Sequence, residues 1–239
     1  MSIEKAVEVV DVSVSFYGLK ALNGCSLTIN KGESLGVIGP NGSGKTTLLN
    51  VVNGYHRPES GVVRIFGKRV DGLPPHRIAQ LGVGRVFQVT NVFTHMTVLE
   101  NIMVQSVWMK DRKRIRERAV ELMKKVGLPP HLADELAGNV SGGQQKLVDI
   151  ARALLPDPEI VMMDEPVAGI HPLIKEKIIE IVDKLRREGK TLVIVSHDIP
   201  SILRMVDKLV FMNAGSVLLE GDPDEVRSSA KVVEAYLGL

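Results

Sequence analysis

Hydrophobic and polar residues alternate near the start of the chain, which predicts two strands of an antiparallel sheet. Residues 7–17 largely alternate apolar and polar side chains and include many β-branched residues. Residues 25–29 predict a second strand with a turn at Asn30-Lys31-Gly32 after it, while Gly18 and Asn23-Gly24 punctuate the stretch between the two strands. We therefore expect a small β-subdomain that packs on a parallel core.

Short apolar runs predict the strands of that core, and helical periodicity separates them. Runs of this kind lie at residues 34–38, 61–67, 83–88, 160–163, 191–195, 209–212 and 216–219. Helices are predicted at residues 46–52, 74–79, 97–104, 120–126, 147–155 and 174–185, with a short helix after the last strand. Strands that alternate with helices predict an α/β fold with a parallel sheet.

A mostly helical stretch, residues 90–155, interrupts this α/β frame. It contains the capping box Thr97-Val98-Leu99-Glu100 and a break at Leu128-Pro129-Pro130. We expect a single domain in which residues 1–89 and 156–239 form the α/β core with its β-subdomain. The helical stretch then forms an insertion subdomain.

Composition and charge exclude several classes of protein. The chain has 239 residues, of which 44% are hydrophobic, and this is enough for a sizeable core. Its net charge of +2 gives no general attraction to nucleic acid or lipid, and we expect no nucleic-acid partner. The basic run at residues 110–118 follows Trp108 but also contains Asp111 and Glu117, so a solvated helix face is the better interpretation.

The cellular location is predicted from the N-terminus, the apolar runs and the single cysteine. No signal peptide is recognisable, and no apolar run approaches the ~18 residues that a membrane helix needs. Cys25 cannot form an internal disulfide and is expected to be a small buried hydrophobe in a reducing compartment. We expect a cytoplasmic protein whose association with a membrane comes through a partner.

One glycine-rich stretch adds chemistry to this fold. Residues 39–46 read G-x-x-x-x-G-K-[ST], between a predicted buried strand and a predicted helix. A strand that turns through glycines into a helix N-terminus directs several backbone N–H groups at one spot and binds phosphate there. Lys45 would reach the β- and γ-phosphates of a nucleotide, and the Thr46 hydroxyl would bind Mg²⁺. The predicted phosphate-binding residues are Gly39, Pro40, Asn41, Gly42, Ser43, Gly44, Lys45, Thr46 and Thr47.

Two adjacent acids, Asp164 and Glu165, end the predicted strand that starts at Ile160. In a protein with this phosphate-binding loop they occupy the Walker B place. There Asp164 would hold the Mg²⁺ shell, and Glu165 would polarise the attacking water. Two carboxylates at the end of a buried strand are costly unless a cation or a proton compensates them. A solvent-facing acidic turn is the alternative interpretation.

Three single side chains are weaker candidates. Gln88 ends a predicted strand at the sheet edge where ligands bind, and would ligate Mg²⁺ or orient water, unless it makes an ordinary surface hydrogen bond. His197 follows another strand and would hydrogen-bond a γ-phosphate, although lone histidines are more often structural. Tyr17 would stack on an adenine or be a half-exposed strand tyrosine.

A second anion-binding arrangement is predicted at Ser141-Gly142-Gly143-Gln144. A serine and two glycines stand here directly ahead of a strongly amphipathic helix, so backbone N–H groups at the helix N-terminus are free to bind an anion. The alternative is a flexible loop with an N-cap serine.

These motifs, in this order and at these spacings, resemble the ATP-binding cassette (ABC) ATPases over essentially the whole chain. The family pattern L-S-G-G-Q is present with valine, Val140, in its first place. The resemblance implies a P-loop NTPase fold, ATP and Mg²⁺ as ligands, and two subunits that pair head to tail. Each ATP would lie between the P-loop of one subunit and Ser141-Gly142-Gly143-Gln144 of the other.

The resemblance also implies roles for single residues. Tyr17 stacks on adenine, Gln88 senses Mg²⁺ and the membrane partner, Glu165 is the general base and His197 contacts the γ-phosphate. The helical insertion would dock on a transmembrane permease subunit. The second ATPase subunit would be this chain or a paralogue, and a substrate-binding protein would take part indirectly.

Narrower stretches look like the ATPases of branched-chain amino-acid importers, and the chain is more similar to the larger of their two ATPase subunits. The stretches are Arg85-Val86-Phe87-Gln88, Met96-Thr97-Val98-Leu99-Glu100-Asn101 and Val233-Glu234-Ala235-Tyr236-Leu237-Gly238. The ATPases of lipopolysaccharide export and of urea-type import are close alternatives. A soluble ABC protein of ribosomes or DNA, and a P-loop kinase for a small molecule, are rivals from other classes.

One stretch departs from the family pattern. An acidic residue usually stands in the loop that contacts the partner subunit, but here the loop reads Ala168-Gly169-Ile170-His171. The charge of a histidine changes near physiological pH. We therefore expect dimerisation with ATP to be mildly pH-sensitive.

Overall fold

The computed structural model describes residues 4–106, 109, 111–230, 232 and 234. These residues form ten strands: β1 (Lys5–Phe16), β2 (Leu19–Asn30), β3 (Ser34–Ile38), β4 (Ser60–Ile65), β5 (Lys68–Arg69), β6 (Val83–Val86), β7 (Ile160–Asp164), β8 (Thr191–Val195), β9 (Lys208–Asn213) and β10 (Ser216–Gly221). They also form eight α-helices: α1 (Lys45–Val52), α2 (Pro75–Gln80), α3 (Val98–Met103), α4 (Arg112–Lys125), α5 (Gly142–Leu154), α6 (Pro172–Arg187), α7 (Ile199–Met205) and α8 (Pro223–Ser228).

The strands divide into two sheets. The N-terminal sheet is antiparallel, with strand order β2-β1-β4-β5. The larger sheet has the order β10-β9-β3-β8-β7-β6; its strands are parallel except for β10, which pairs antiparallel with β9 at one edge. Parallel strands end at the same edge of a sheet. The residues that follow β3, β7 and β8 are therefore neighbours, although they are far apart in the sequence.

The parallel strands are apolar throughout because both faces of their sheet are covered. Alternate side chains, such as Leu35 and Val37 of β3, pack with α1 and the antiparallel sheet. Their neighbours in the strands, such as Val161 of β7 and Ile194 of β8, pack with α5 and α6 on the opposite face. The period of two residues along each strand thus divides the apolar side chains between two cores.

The helical stretch between β6 and β7 contains α3, α4 and α5. Ile102, Ile115 and Leu147 from these helices belong to the same apolar cluster as Val161 of the sheet. On the surface, Lys125 of α4 forms an ion pair with Glu188, the residue that follows α6 (2.6 Å). This pair joins the helical stretch to the core. The division of the chain into a core and a helical subdomain stays a prediction.

Several strands differ from the sequence prediction in their bounds, β5 was not predicted, and the largest differences are in β2 and β6. β2 begins at Leu19 and runs through Asn23 and Gly24, where glycine predicted an interruption. Gly24 has a φ of 64° beside an irregularity in the β1–β2 register, and its N–H donates to Ser13 Oγ (3.0 Å), so the bulge is absorbed within the strand. β6 ends at Val86, two residues before Gln88, because Lys146 takes up the carbonyl oxygens of the residues that follow.

Helix α7 was not predicted. It is short, and Pro200 stands in its first turn, where proline is tolerated. Trp108, Lys110 and most of the C-terminal stretch 233–238 lie outside the described residues. Among the helices that the structure describes, none combines the length and apolar character that crossing a membrane requires.

Candidate active site

The loop between β3 and α1 packs too closely on its neighbours for most of its glycines to be replaced. A Cβ atom on Gly39 would lie 2.1 Å from the carbonyl oxygen of Met212, and one on Gly44 would lie 2.5 Å from that of Ala21. Both glycines also have positive φ angles, of 152° and 100°. The loop is therefore held between β9 and β2 in a conformation that directs it into α1.

Lys45 begins α1 and folds back into this loop. Its Nζ donates to the carbonyl oxygens of Gly39 (2.8 Å) and Pro40 (2.9 Å), and only 9% of the residue is exposed. Burial lowers the pKa of Lys45, while the nearby charges of Glu165 and Asp164 oppose this shift. A cation at a helix N-terminus inside a glycine-rich loop is suited to binding phosphate.

A cavity of about 1130 Å³ opens above this loop. All of the predicted phosphate-binding residues except Ser43 line it, and so do Gln88, Glu165 and His197. The structure thus brings together groups from the ends of β3, β6, β7 and β8. Leu19, Ala21 and Ala214 also line the cavity. The sequence reasoning missed these three, since only the packing of β2 and the β9–β10 turn beside the loop reveals them.

Asp164 lies beside the start of α1 and is 2% exposed. Its Oδ2 accepts a hydrogen bond from Arg85 Nη2 (3.0 Å), and its Oδ1 accepts one from Thr46 Oγ1 (3.4 Å). Burial raises the pKa of Asp164, and the Arg85 charge is the largest influence that lowers it. Arg85 was predicted only as part of a family-like stretch, and its pairing with Asp164 was missed.

The oxygen atoms around this aspartate fit a hard divalent cation. The Thr46 hydroxyl is in contact with the Asp164 carboxylate, and Gln88 lines the cavity together with Thr46. Hydroxyl, carboxylate and amide oxygens are the ligands that Mg²⁺ accepts in nucleotide sites. Thr46, Asp164 and Gln88 are therefore the residues that could hold Mg²⁺ here.

Glu165 has an unusual backbone for a residue with a side chain. Its φ is 46°, a left-handed conformation that costs of order 1–3 kcal/mol and is enriched at functional sites. Its N–H donates to the carbonyl oxygen of Val195 (2.9 Å), which holds the turn against β8. Glu165 Oε1 lies 2.8 Å from His197 Nδ1, and Oε2 accepts a hydrogen bond from Ser196 Oγ (3.3 Å). The next strand thus orients the Glu165 carboxylate at the cavity wall.

The predicted second anion site stands apart from this cavity. Ser141 is the N-cap of α5, where its Oγ accepts from the Gln144 N–H (3.3 Å) and Gln144 Oε1 accepts from the Ser141 N–H (2.9 Å). Gly142 is exposed, and a Cβ on it would meet no atom within 4 Å. The four residues from Ser141 to Gln144 are not among those that line the cavity.

Two further candidates lie at the surface. Tyr17 is fully exposed with a φ of 51° and does not line the cavity, although Leu19 close to it does. Its stacking on adenine stays a prediction. His171 is the N-cap of α6, and its Nδ1 accepts from the Leu173 N–H (3.3 Å).

A buried polar network beside Gln88 was missed entirely. Lys146, Asp149 and Arg152 of α5 contact the segment 87–91. Charged residues on an amphipathic helix indicate a solvent-facing side. Nothing in the sequence pattern marks these three as buried.

A P-loop, an acidic pair after a neighbouring strand and a histidine after the next define a P-loop nucleotide hydrolase. The family model described as ABC transporter matches residues 22–168, and a model described as branched-chain amino acid ATP-binding cassette transporter matches residues 216–238. The chain belongs to the ABC transporter family, and it is an ATPase of this type. The family and the α/β P-loop fold predicted from the sequence are therefore confirmed.

Several known proteins are similar to the chain over nearly its whole length. The probable branched-chain amino acid transport ATP-binding protein LivG of Archaeoglobus fulgidus is 38% identical, over 98% of this chain and 96% of its own. The high-affinity branched-chain amino acid transport ATP-binding protein BraF of Pseudomonas aeruginosa is 33% identical, over 97% of each chain.

Solved structures of ATP-binding cassettes are similar to the chain in fold as well as in sequence. The ADP conformation of MJ1267, an ATP-binding cassette of an ABC transporter, has a TM-score of 0.89 at 34% identity, over 98% of this chain and 99% of its own. A dimeric post-hydrolysis state of the ATP-binding cassette MJ0796, bound to ADP and Pi, has a TM-score of 0.82 at 30% identity, over 91% and 98% of the chains.

Proposed function

We propose that this ATPase powers the import of branched-chain amino acids through a transmembrane permease. The match of residues 216–238 to the branched-chain amino acid transporter model carries the choice of cargo. The LivG and BraF relatives, which align along almost all of both chains, support it. In this proposal the permease holds the chain at the inner face of the cell membrane, and a substrate-binding protein delivers the amino acid to the permease.

In the proposed hydrolytic site, each group in the cavity has one task. Lys45 and the N–H groups of its loop bind the β- and γ-phosphates. Hydrogen bonds to the carbonyl oxygens of Gly39 and Pro40 hold the Lys45 ammonium within this loop. Thr46, Asp164 and Gln88 hold Mg²⁺, which neutralises phosphate charge when bound.

Glu165 accepts the proton of the attacking water. The 2.8 Å contact with His197 orients the Glu165 carboxylate toward the cavity, and His197 is the neighbour that would reach the γ-phosphate. Asp164 is paired with Arg85 and, unlike Glu165, is not among the residues that line the cavity.

A second subunit completes the proposed site. The Ser141-Gly142-Gly143-Gln144 motif lies at the N-terminus of a 13-residue helix and is absent from the walls of its own cavity. Ser141 and Gly142 are exposed, and Gly143 and Gln144 are half-buried. A head-to-tail dimer would place this anion-binding end against the nucleotide of the other subunit. The similar MJ0796 cassette is reported as a dimer, which supports the pairing of two subunits.

The substitution Glu165→Gln tests the hydrolytic role. We expect ATP turnover, measured by phosphate release, to fall by about 10²–10⁴-fold, because glutamine cannot accept the proton. ATP binding, measured by calorimetry, should persist, since the loop and Lys45 are intact. Glu159→Gln is the matched control, because that carboxylate is exposed just before the other end of β7. If Glu165→Gln turns over ATP at the parent rate, the general-base role is wrong.

The cargo is tested with a branched-chain amino-acid permease and a substrate-binding protein from the same organism. The complex is reconstituted in proteoliposomes with ATP inside, and uptake of labelled leucine is compared with uptake of labelled urea. We expect leucine uptake that depends on ATP and is lost with Glu165→Gln. ATP-dependent uptake of urea alone would contradict the proposed cargo and leave the ATPase role intact.

A further inference from the structure

Helix α5 carries three charged residues on a face that is buried in the protein. Lys146, Asp149 and Arg152 follow each other at intervals of three residues, so they lie on one side of the helix. Lys146 and Asp149 are each 2% exposed, and Arg152 is 9% exposed. Charged side chains are almost never this buried unless they are paired.

All three residues contact the short segment 87–91, which carries Gln88. Lys146 Nζ donates to the carbonyl oxygens of Phe87 (2.6 Å) and Gln88 (3.3 Å). Arg152 Nη1 donates to the carbonyl oxygen of Asn91 (2.8 Å). Helix α5 therefore holds the segment at both ends.

Asp149 joins the two cations of this network. It pairs with Arg152 Nη2 and also accepts a hydrogen bond from the backbone of Phe87. Burial lowers the pKa of Lys146, and the charge of Asp149 opposes that shift. Burial likewise raises the pKa of Asp149, with Arg152 and then Lys146 opposing it. The Asp149 carboxylate thus compensates part of the charge of the two cations, which also donate to carbonyl oxygens of the segment 87–91.

Burying these charges carries a desolvation cost that an apolar core does not. Apolar residues of similar volume often serve stability equally well or better than buried ion pairs. They could not, however, donate to the carbonyl oxygens of Phe87, Gln88 and Asn91. The contacts therefore define the position of one particular backbone segment.

The same helix begins at the Ser141-Gly142-Gly143-Gln144 motif, whose first two residues are exposed. Its capping box fixes the first turn, and Lys146 follows Gln144 by two residues. The motif and the Gln88 segment are thus attached to one rigid helix.

We propose that Lys146, Asp149 and Arg152 are positioning residues that fix Gln88 to the helix beginning at Ser141, so that Gln88 and the Ser141–Gln144 motif move together. This inference rests on the proposed function, in which Gln88 serves one nucleotide and the motif serves the other. ATP that engages the motif of one subunit would thereby set the place of Gln88 in that subunit's own site.

A double-mutant cycle tests whether Lys146 acts through Gln88. Lys146→Met, Gln88→Ala and the double variant are compared by kcat, by KM for ATP and by the Mg²⁺ concentration for half-maximal turnover. We expect Lys146→Met to lower kcat roughly tenfold, as loss of a charge-assisted hydrogen bond would. In the Gln88→Ala background the same change should have little further effect, because coupled residues are not additive.

Hydrogen–deuterium exchange gives a readout that does not depend on activity. Amides of residues 87–91 should exchange faster in Lys146→Met than in the wild type. Lys146→Gln keeps one donor and should give a smaller change in exchange and in kcat. Its own cycle with Gln88→Ala tests the same coupling if Lys146→Met does not fold.

Arg118→Met is the matched control. Arg118 Nε donates to the carbonyl oxygen of Leu155, just past the other end of α5 (2.7 Å), so this variant removes a similar bond far from Gln88. It should leave kcat and the exchange of residues 87–91 unchanged.

Two failures of this experiment are distinguishable. If Lys146→Met lowers kcat by the same factor with and without Gln88, the residue acts only on the fold and the inference is overturned. If the wild-type chain itself shows no Mg²⁺-dependent ATP turnover, the proposed function fails instead.

Discussion

At the scale of single residues, Cys25 shows how burial alone sets chemistry. The thiol has no exposed surface and packs in the core that includes β1, β2 and α1. Desolvation raises its pKa from 9.0 to about 11. The thiolate is the nucleophilic form of cysteine, and Cys25 stays in the protonated thiol form at neutral pH. Cys25 is therefore a small core side chain, as its sequence context predicted.

The raised pKa of Cys25 makes stability depend on pH above about 9. Between about pH 9 and 11 the unfolded chain loses the thiol proton while the folded chain keeps it, so stability falls as pH rises. Once the pH exceeds both pKa values, this shift has lowered the free energy of unfolding by about 2–3 kcal/mol. We expect urea unfolding to show this loss in the wild type but not in Cys25→Ala. A difference in unfolding free energy between the two proteins that stays constant from pH 8 to 11 would contradict it.

Site residues that belong to a local pattern could be predicted, and their distant partners could not. Lys45 and Thr46 are specified by their own neighbours, because the loop and helix that position them are continuous in the sequence. Arg85 reaches Asp164 only because β6 pairs with β7, 79 residues further along the chain. An arginine in a short apolar run gives no sign of that partner.

At the scale of elements, α3 depends on one buried amide. Asn101 is fully buried, and its Oδ1 accepts from the Phe93 N–H (2.8 Å). Its Nδ2 lies within 3.2 Å of the carbonyl oxygens of Phe93, Met96 and Thr97. This one side chain ties the loop before the helix to its first turn, next to the capping box formed by Thr97 and Glu100.

We expect Asn101→Leu to destabilise the protein by about 2–4 kcal/mol. Leucine has a similar volume and a better helix propensity, but it leaves the Phe93 N–H without its acceptor in the interior. Thermal unfolding of the two proteins measures the loss. Asn139→Leu is the control, since Asn139 is exposed and its side chain bonds only to the Glu135 side chain in the described contacts. Equal midpoints for both variants would contradict a structural role for Asn101.

Elements with a strict period were predictable, and irregular ones were not. The strands β3, β7 and β8 are buried on both faces, so their apolar runs are continuous and their bounds follow. β2 contains a bulge at Gly24, where backbone and side-chain hydrogen bonds override the usual meaning of glycine. β6 ends at Val86, and the carbonyl oxygens of the next two residues accept hydrogen bonds from Lys146, which is far away in the sequence.

At the scale of the whole molecule, the active groups lie on two separate surfaces. One is the cavity above the P-loop, and the other is the exposed N-terminus of α5. The loop that ends at His171 is a third exposed feature, and Leu173 beside it is 71% exposed. An ATP-bound dimer, as proposed above, would bury such surfaces together.

His171 gives the dimer a predicted dependence on pH. Its Nδ1 caps the 16-residue helix α6 as an acceptor of the Leu173 N–H. Protonation removes this acceptor and places a positive charge at the positive end of the helix. A charged His171 would therefore leave the first turn of α6 without its side-chain cap.

The sequence predicts that ATP-driven dimerisation is mildly sensitive to pH, and we expect this dependence to act through the His171 cap. Analytical ultracentrifugation of Glu165→Gln with ATP measures the dimerisation affinity at each pH. In this variant ATP turnover is suppressed and the Glu165 carboxylate is absent. His171→Asn keeps a good capping oxygen that does not titrate. In that background the dependence on pH should flatten, while the affinity at pH 8 stays close to that of the parent. If His171→Asn leaves the pH profile unchanged, another group controls dimerisation, with His197 beside position 165 the first to be examined.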